Sequence, residues 1–428
     1  MIAPAAARIL RAIPEGPKTL ASTVTIHGSN NVAIPLTFDA TSNVALAQQI
    51  ATFLNSEIAA GKLVTSSDAA PPLPRGVSGA YVQATTEVVK LPPGYTTDLV
   101  TKPGPAIVLG SGKADPTILS DEHTSLTFVA SAGSGTVVAG GGDNRLAISG
   151  SAADNWSLNT GSGNDVILAL GAVNATIAPG GGKNAIQLGS GHDLVISAGR
   201  DSIAGGSGQS TIDASNASSD FVQGEKSDLL FIGGSGGATI LGGTGSDTYF
   251  GSAAGPVGEQ LIKGGSAGSN LLFAGDGAAT LVGGGNNDQL FAYGSANQVL
   301  NAGSGNETLS AAFSSGNDTL AAGLSNGQLI GGTGSDTFLG GGGNATITAG
   351  SGRDVYAFIN HQAGGNDVVQ GVFDPASIQI HLQGYDRSAI HNALASQRTS
   401  NGSVTIGLED GTKITFQDVS SLNRSNFT

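Results

Sequence analysis

Along most of the chain, apolar residues come in runs of two or three, separated by longer glycine-rich polar stretches. That spacing fits neither the 3.6-residue period of an amphipathic helix nor one long alternating strand. The phrase G-G-T-G-S-D-T-Y-F at Gly242–Phe250 returns as G-G-T-G-S-D-T-F-L at Gly331–Leu339, and looser copies occupy 233–240, 283–291 and 340–348. Each nine-residue unit opens on glycines, carries an acid or a substitute sixth, and places an aliphatic or aromatic residue eighth. Ile167, Ile186, Val195, Ile212, Ile240, Tyr249, Leu290, Phe338 and Tyr356 hold that eighth place. One such triplet buries nothing alone. Stacked, the triplets form two parallel sheets around a narrow core, so the pattern predicts a parallel β-roll or β-solenoid over 106–370.

The flanks read differently. Residues 1–105 predict a small α/β domain for anchoring or for joining subunits. Its strands are Thr23–Ile26 and Val32–Phe38, and Val44, Leu46, Ile50, Phe53, Leu54 and Ile58 are spaced as on a helix over Asn43–Leu63. Val77–Leu91 predicts a further pair of strands. After Gly371 the repeat stops. Ile378–Leu382, Ser403–Leu408 and Thr412–Phe416 predict strands, and Ala389–Gln397 a short helix. Residues 371–428 are thus expected to form a β cap on the open end of the solenoid. The fold class expected for the whole chain is mostly β.

Composition narrows the chemistry. With no cysteine among 428 residues, disulfides and thiolate metal sites are excluded. A net charge of −14 argues against a nucleic-acid partner, whose phosphates require clustered Lys and Arg. No stretch approaches the ~18 consecutive apolar residues of a membrane helix. At the start, Arg8 and Arg11 interrupt what would be the apolar core of a leader, so no cleaved secretory signal is expected there. Acids recurring at fixed positions point instead to cations.

The nine-residue phrase resembles the RTX repeat, G-G-x-G-x-D-x-U-x, of proteins exported by type I secretion in Gram-negative bacteria. The resemblance covers about 130–370. It implies a parallel β-roll whose turns bind Ca²⁺ through the aspartate and backbone carbonyls, a donor set that suits this hard, flexibly coordinated ion. Zn²⁺ is not expected, because the six histidines are scattered. The metal residues implied are Asp165, Asp193, Asp228, Asp247, Asp288, Asp318, Asp336 and Asp354, with Gly242, Gly245, Gly331 and Gly334 in the two intact turns. Many sixth positions have lost the acid. From Asp228 to Asp318 one edge reads Asp228, Asp247, Asn270, Asp288, Glu307, and the other Ala238, Gln260, Ala279, Asn297, Asp318. An acid-rich edge and a largely neutral one are therefore expected. The resemblance further implies an extracellular or cell-surface location and a C-terminal, uncleaved export signal.

No H-E-x-x-H is present, and the G-x-S-x-G matches at 233–237 and 264–268 fall inside the repeat, where glycine and serine abound. The expectation is a non-enzymatic protein. Phe231, Phe250, Phe273 and Phe291 recur at the ninth place of every second unit. Alternation along a strand turns that place outward if the eighth points inward, giving an aromatic stripe for self-assembly. The alternative is that these rings belong to the core or lie beneath the N-terminal domain. The expected role is a secreted structural protein, homo-oligomeric or polymeric, building a surface layer, fibre or biofilm matrix. It resembles RTX-bearing surface-layer proteins in this. The alternatives are a monomeric adhesin module for cell-surface polysaccharide and an RTX-type enzyme of unknown activity.

Overall fold

Leu63–Ser67 pairs in parallel with Ser78–Gln83, and from there to Gln379–Gln383 successive strands alternate between two sheets, each pairing in parallel within its own sheet. The computed structural model describes residues 21–110, 115–224, 226–252, 258–324, 326–372 and 374–428. The leader expected absent from residues 1–14 lies outside them. The chain divides into two compact units, up to Val222 and from Gln223. Among the described residues no helix is long and apolar enough to cross a membrane.

In the first unit, one inward column runs Val137, Leu158, Ile177, Val195, Ile212 in register across consecutive coils. Its counterpart in the other sheet is Leu146, Ile167, Ile186, Ile203. All are buried. Burying each such side chain contributes roughly 1.5–3 kcal/mol, which a lone triplet could never accumulate. Each coil rests on the one before at van der Waals distance. At Gly182, with φ +98°, a Cβ would strike the carbonyl oxygen of Gly163 one coil below. Only glycine fits both the backbone and the space.

A hairpin (Ser22–His27 with Ala33–Phe38) and a helix (Thr41–Ala59) stand outside the coils of this unit. They pack over the outward face of one sheet and join Leu63, Ala80, Val82, Leu99, Leu119 and Val138 in a second core. The helix meets that face through Ala47, Ala51 and Leu54, with Val44, Leu46, Ile50 and Ile58 partly buried. Phe53, expected on the same stripe, is 62% exposed. Among the described residues before 105, it is 22–59 that stand outside the solenoid. The boundary expected at 105 falls within the parallel ladder, because Leu63–Ser67, Ser78–Gln83 and Tyr95–Val100 already pair as coils. Their connections carry proline instead of the glycine phrase, which hides the period.

The second unit repeats the plan. One inward column is Phe231, Tyr249, Leu272, Leu290, Leu309, Leu329, Ile347, Val369. The other is Ile240, Ile262, Leu281, Leu300, Leu320, Phe338, Tyr356, Ile380. Beyond 371, Gln379–Gln383 adds to one sheet and Lys413–Phe416 to the other, the latter turning back on Ser403–Gly407. Phe427 bridges to Ile380, and the Thr428 N–H donates to the Ile380 carbonyl at 3.0 Å. Phe427 and Thr428 thus lie along part of the edge that Gln379–Gln383 presents.

Candidate metal centre

Two ladders of short polar side chains run along the turns. The inner one belongs to the sixth position, which points into the coil. In the first unit, the Asn144 N–H donates to Asp165 Oδ1 (2.7 Å) and the Asp165 N–H to Asn184 Oδ1 (2.9 Å). Asn184 Nδ2 then donates to Asp201 Oδ1 (2.8 Å), and the Asp201 N–H to Asp220 Oδ1 (3.1 Å). On the opposite edge the Ala175 N–H donates to Asp193 Oδ1 (2.9 Å). In the second unit the run is Leu229 N–H to Asp247, Asp247 to Asn270, Asn270 to Asp288 and Asp288 to Glu307. The acids then change edge: Gln298 N–H donates to Asp318, Asp318 to Asp336 and Asp336 to Asp354. The neutral edge expected up to Asn297 thus becomes the acid-bearing one from Asp318.

The outer ladder uses the fifth position and runs the other way. The Asn164 N–H donates back to Asp143, Lys183 to Asn164, Ser335 to Asn317 and Asn366 to Asn344. Asp228 belongs here. It is exposed, its Oδ1 accepts from the Ser246 N–H at 2.8 Å, and Leu229 takes the inward place. Asp228 therefore stands one residue off the inner register in which it was expected. Asn297 is displaced likewise, with Gln298 buried in its stead. The recurrence of Asn, Ser or Asp just before the sixth position was the available signal for this ladder.

What distinguishes acid from amide is the second heteroatom. Asn270 turns its Nδ2 to the Gly265 carbonyl at 2.8 Å, and Gln298 turns its Nε2 to the carbonyls of Gly275 and Gly277 at 2.8 and 3.0 Å. An amide closes its turn without help. An aspartate puts an oxygen among the same carbonyl oxygens. Asp165, Asp193, Asp220, Asp247, Asp318 and Asp367 each bury an Oδ2, and Glu307 its Oε1, without a hydrogen bond of good geometry; Thr160, Gly189, Gly265 and Ser314 lie near Asp165, Asp193, Asp247 and Asp318 and offer them only weak, poorly aligned contacts. Burial pushes Asp165, Asp193, Asp220 and Asp247 up to about 6, and Glu307 and Asp367 up to about 7. Their hydrogen bonds only partly offset the lost hydration.

Other acids are closed internally. Asp288 Oδ2 accepts from the Gly284 and Gly285 N–H groups, Asp336 Oδ2 from Gly332, and Asp201 Oδ2 from the Ser197 hydroxyl. The two intact phrases therefore differ. At Asp336 the first turn satisfies its own carboxylate. At Asp247 a Cβ on Gly265 would strike the Gly245 carbonyl oxygen and lie 3.1 Å from Asp247 Oδ2, marking an oxygen-lined cradle between coils. Gly242 and Gly331 likewise stand against the Oδ2 of Asp247 and Asp336, and Gly334 packs on the Gly316 carbonyl. Asp354 is buried, with its carboxyl raised by burial.

Among the described residues no three acidic or histidine side chains converge. One carboxylate oxygen plus backbone carbonyls per turn suits Ca²⁺ and not Zn²⁺. The unpartnered oxygens of Asp165, Asp193, Asp220, Asp247, Glu307, Asp318 and Asp367 would hold it, and the ion would supply the positive charge those turns lack. Asp220, Glu307 and Asp367 were outside the expected set.

The four expected aromatic positions separate. Phe250, Phe273 and Phe291 are half-exposed and stacked in sequence, with centroids 5.5 and 4.4 Å apart. Phe231 is core: 1% exposed, paired with Tyr249 and stacked on it at 5.4 Å. The one-residue shift that turns Leu229 inward turns Phe231 inward with it.

A family model for the RTX calcium-binding nonapeptide repeat matches residues 195–222, 264–299, 314–347 and 323–356. Neither a curated protein nor a solved structure matches the chain. The first matched stretch lies in the first unit and the others in the second, over coils that carry the inner ladder. The chain thus carries RTX repeats, calcium-binding nonapeptides set in parallel β-solenoid coils.

Proposed function

We propose that this is a secreted, non-enzymatic structural protein whose coils are ordered by Ca²⁺ and which self-assembles into a surface layer, fibre or biofilm matrix. The observation that carries the reading is the set of buried carboxyl oxygens without partners. Left uncompensated, they destabilise the coils they sit in; with Ca²⁺ bound they become cross-coil ties. In a medium poor in Ca²⁺ such a chain stays loosely folded, and its β-coils stiffen where Ca²⁺ is plentiful. That behaviour suits export followed by assembly outside the cell. The G-x-S-x-G serines support no catalytic role, since Ser235 and Ser266 lie in turns between coils.

Electron microscopy and sedimentation in millimolar Ca²⁺, with and without a chelator, test the proposal. Large regular particles that dissolve on chelation are the expected result. A monomer unchanged by Ca²⁺ would refute it.

A further inference from the structure

One buried acid belongs to neither ladder of the turns. Asp98 lies mid-strand in Tyr95–Val100, fully buried, and neither of its carboxyl oxygens has a hydrogen-bond partner. It stands in the inward column of the first unit, in register between Tyr81 and Ile118, and that column continues as Val137, Leu158 and Ile177. In the opposite sheet, the strands just before and after it in the chain bury Val89 and Val108. The turn acids sit at the sixth place, beside glycine carbonyls. Asp98 sits at the eighth, where later coils carry hydrocarbon.

Its polar neighbours favour one protonation state. Gln83 and Ser120 flank Val100 on the same inward face, one step further along, and bury an Oε1 and an Oγ without partners. Gln83 Nε2 is committed to the carbonyls of Thr86 and Glu87, at 2.6 and 3.2 Å, so this amide presents only an acceptor. An ionised Asp98 adds acceptors where donors are short; a protonated one supplies a donor. The charged group coupled to it is Asp68. Against partial burial, the N–H groups of Ala84, Thr85 and Thr86 and the Thr85 hydroxyl hold the Asp68 carboxyl at about 2, so it stays ionised. Tyr81 is the ionisable neighbour on the strand before; Lys90 is exposed. Burial first, and the Asp68 charge second, push Asp98 up to about 8.

We propose that Asp98 is a proton-held latch of the first coils: protonated it keeps them closed, and ionised in alkaline medium it loosens them. Ca²⁺ plays no part in it. Along the edge that later carries Asn144 and Asp165, these coils place Ala106 and Leu126 instead of acids. The folded chain keeps a proton that the unfolded chain, near the ~4 of a free carboxyl, has released. The stability it contributes is full below about pH 4 and is lost as pH rises toward about 8.

The single tryptophan, Trp156, packs on Phe128 at 5.4 Å within the first unit and serves as the probe. Urea unfolding followed by its fluorescence compares the unmodified chain with Asp98→Asn and Asp98→Val in millimolar Ca²⁺. Relative to either variant, the folding constant of the unmodified chain should fall about tenfold per pH unit from about pH 5 to about pH 7, and level off above about pH 8. Parallel profiles would overturn the proposal. Infrared spectra of the unmodified chain read the proton directly and decide the matter if neither variant folds. A protonated-carboxyl band should persist at about pH 7 in Ca²⁺, vanish about two pH units higher, and be missing from folded Asp98→Asn. A band absent at neutral pH, because Asp98 is ionised or holds a cation, or a band unchanged in Asp98→Asn, sinks the latch.

Discussion

The two units carry an apolar outward face on one sheet each, and the chain treats them oppositely. In the first unit Leu99, Leu119 and Val138 are fully buried beneath a helix and a hairpin. In the second, Phe250, Phe273 and Phe291 stay half-exposed and lean on one another. Covering converts an outward column into core, with the packing density and intolerance of core. Stacking without cover leaves rings whose loss the fold can absorb. Position on the strand does not decide which residues are essential; what lies above them does.

The largest effects should fall where the columns are covered or inward. Phe231→Ala empties an inward rung and should lower stability by about 3–5 kcal/mol, and Leu119→Ala by about 2–5 kcal/mol. Urea unfolding checks both. If Phe231→Ala behaves like a surface change, the inward register assigned to it is wrong.

Next comes the response to pH and Ca²⁺. The carboxyls of Asp165, Asp193, Asp220 and Asp247 lie at about 6, and those of Glu307 and Asp367 at about 7, all above the ~4 of an unfolded carboxyl. Folded, Ca²⁺-free protein therefore keeps protons that the unfolded chain has released. Its stability from these groups is full below about pH 4 and is lost as pH rises through 6 to 7. In chelator, melting should occur at lower temperature at pH 8 than at pH 5. Millimolar Ca²⁺ should abolish or reverse that order, since it binds the ionised form.

A smaller effect separates amide-closed turns from acid ones. Asp247→Asn keeps the acceptor used by the Leu229 N–H and gains an amide to close the turn. It should raise stability in chelator by ~1 kcal/mol and reduce the gain on adding Ca²⁺. The reverse change, Asn270→Asp, should make its turn newly Ca²⁺-dependent. Calorimetric titration follows both.

Phe273→Ser removes two ring stacks, each of about 0.5–1.5 kcal/mol, and should still cost less than Phe231→Ala. A loss as large as that of Phe231→Ala would erase the contrast between the covered and the bare face.

The repeat was legible because its period appears in the letters. Gly242–Phe250 and Gly331–Leu339 announce a turn, an acid and an inward residue, and Tyr249 and Phe338 are inward as read. Where the phrase weakens, the reading slipped by one: at Asp228 and Leu229, at Asn297 and Gln298, and so at Phe231. A single-residue slip reverses every side chain on a strand, and without a clear glycine turn nothing local prevents it. The coils before residue 105 were missed for the same reason, since proline-bearing links stand where glycine turns would.

Local chemistry, then, settled the architecture. Short apolar triplets can bury themselves only by stacking, and glycine turns let coils approach within contact, so a parallel solenoid follows from the letters. The state of each acid does not. Asp247 and Asp336 stand in nearly identical phrases, yet one oxygen is unpartnered and the other is held by the Gly332 N–H. That difference is one of conformation within the turn, where the Gly332 N–H reaches Asp336 Oδ2 and no N–H of the matching turn is so placed for Asp247, and the shared letters do not fix it. Burial, and with it charge and affinity for a cation, is a property of neighbours that only folding brings together.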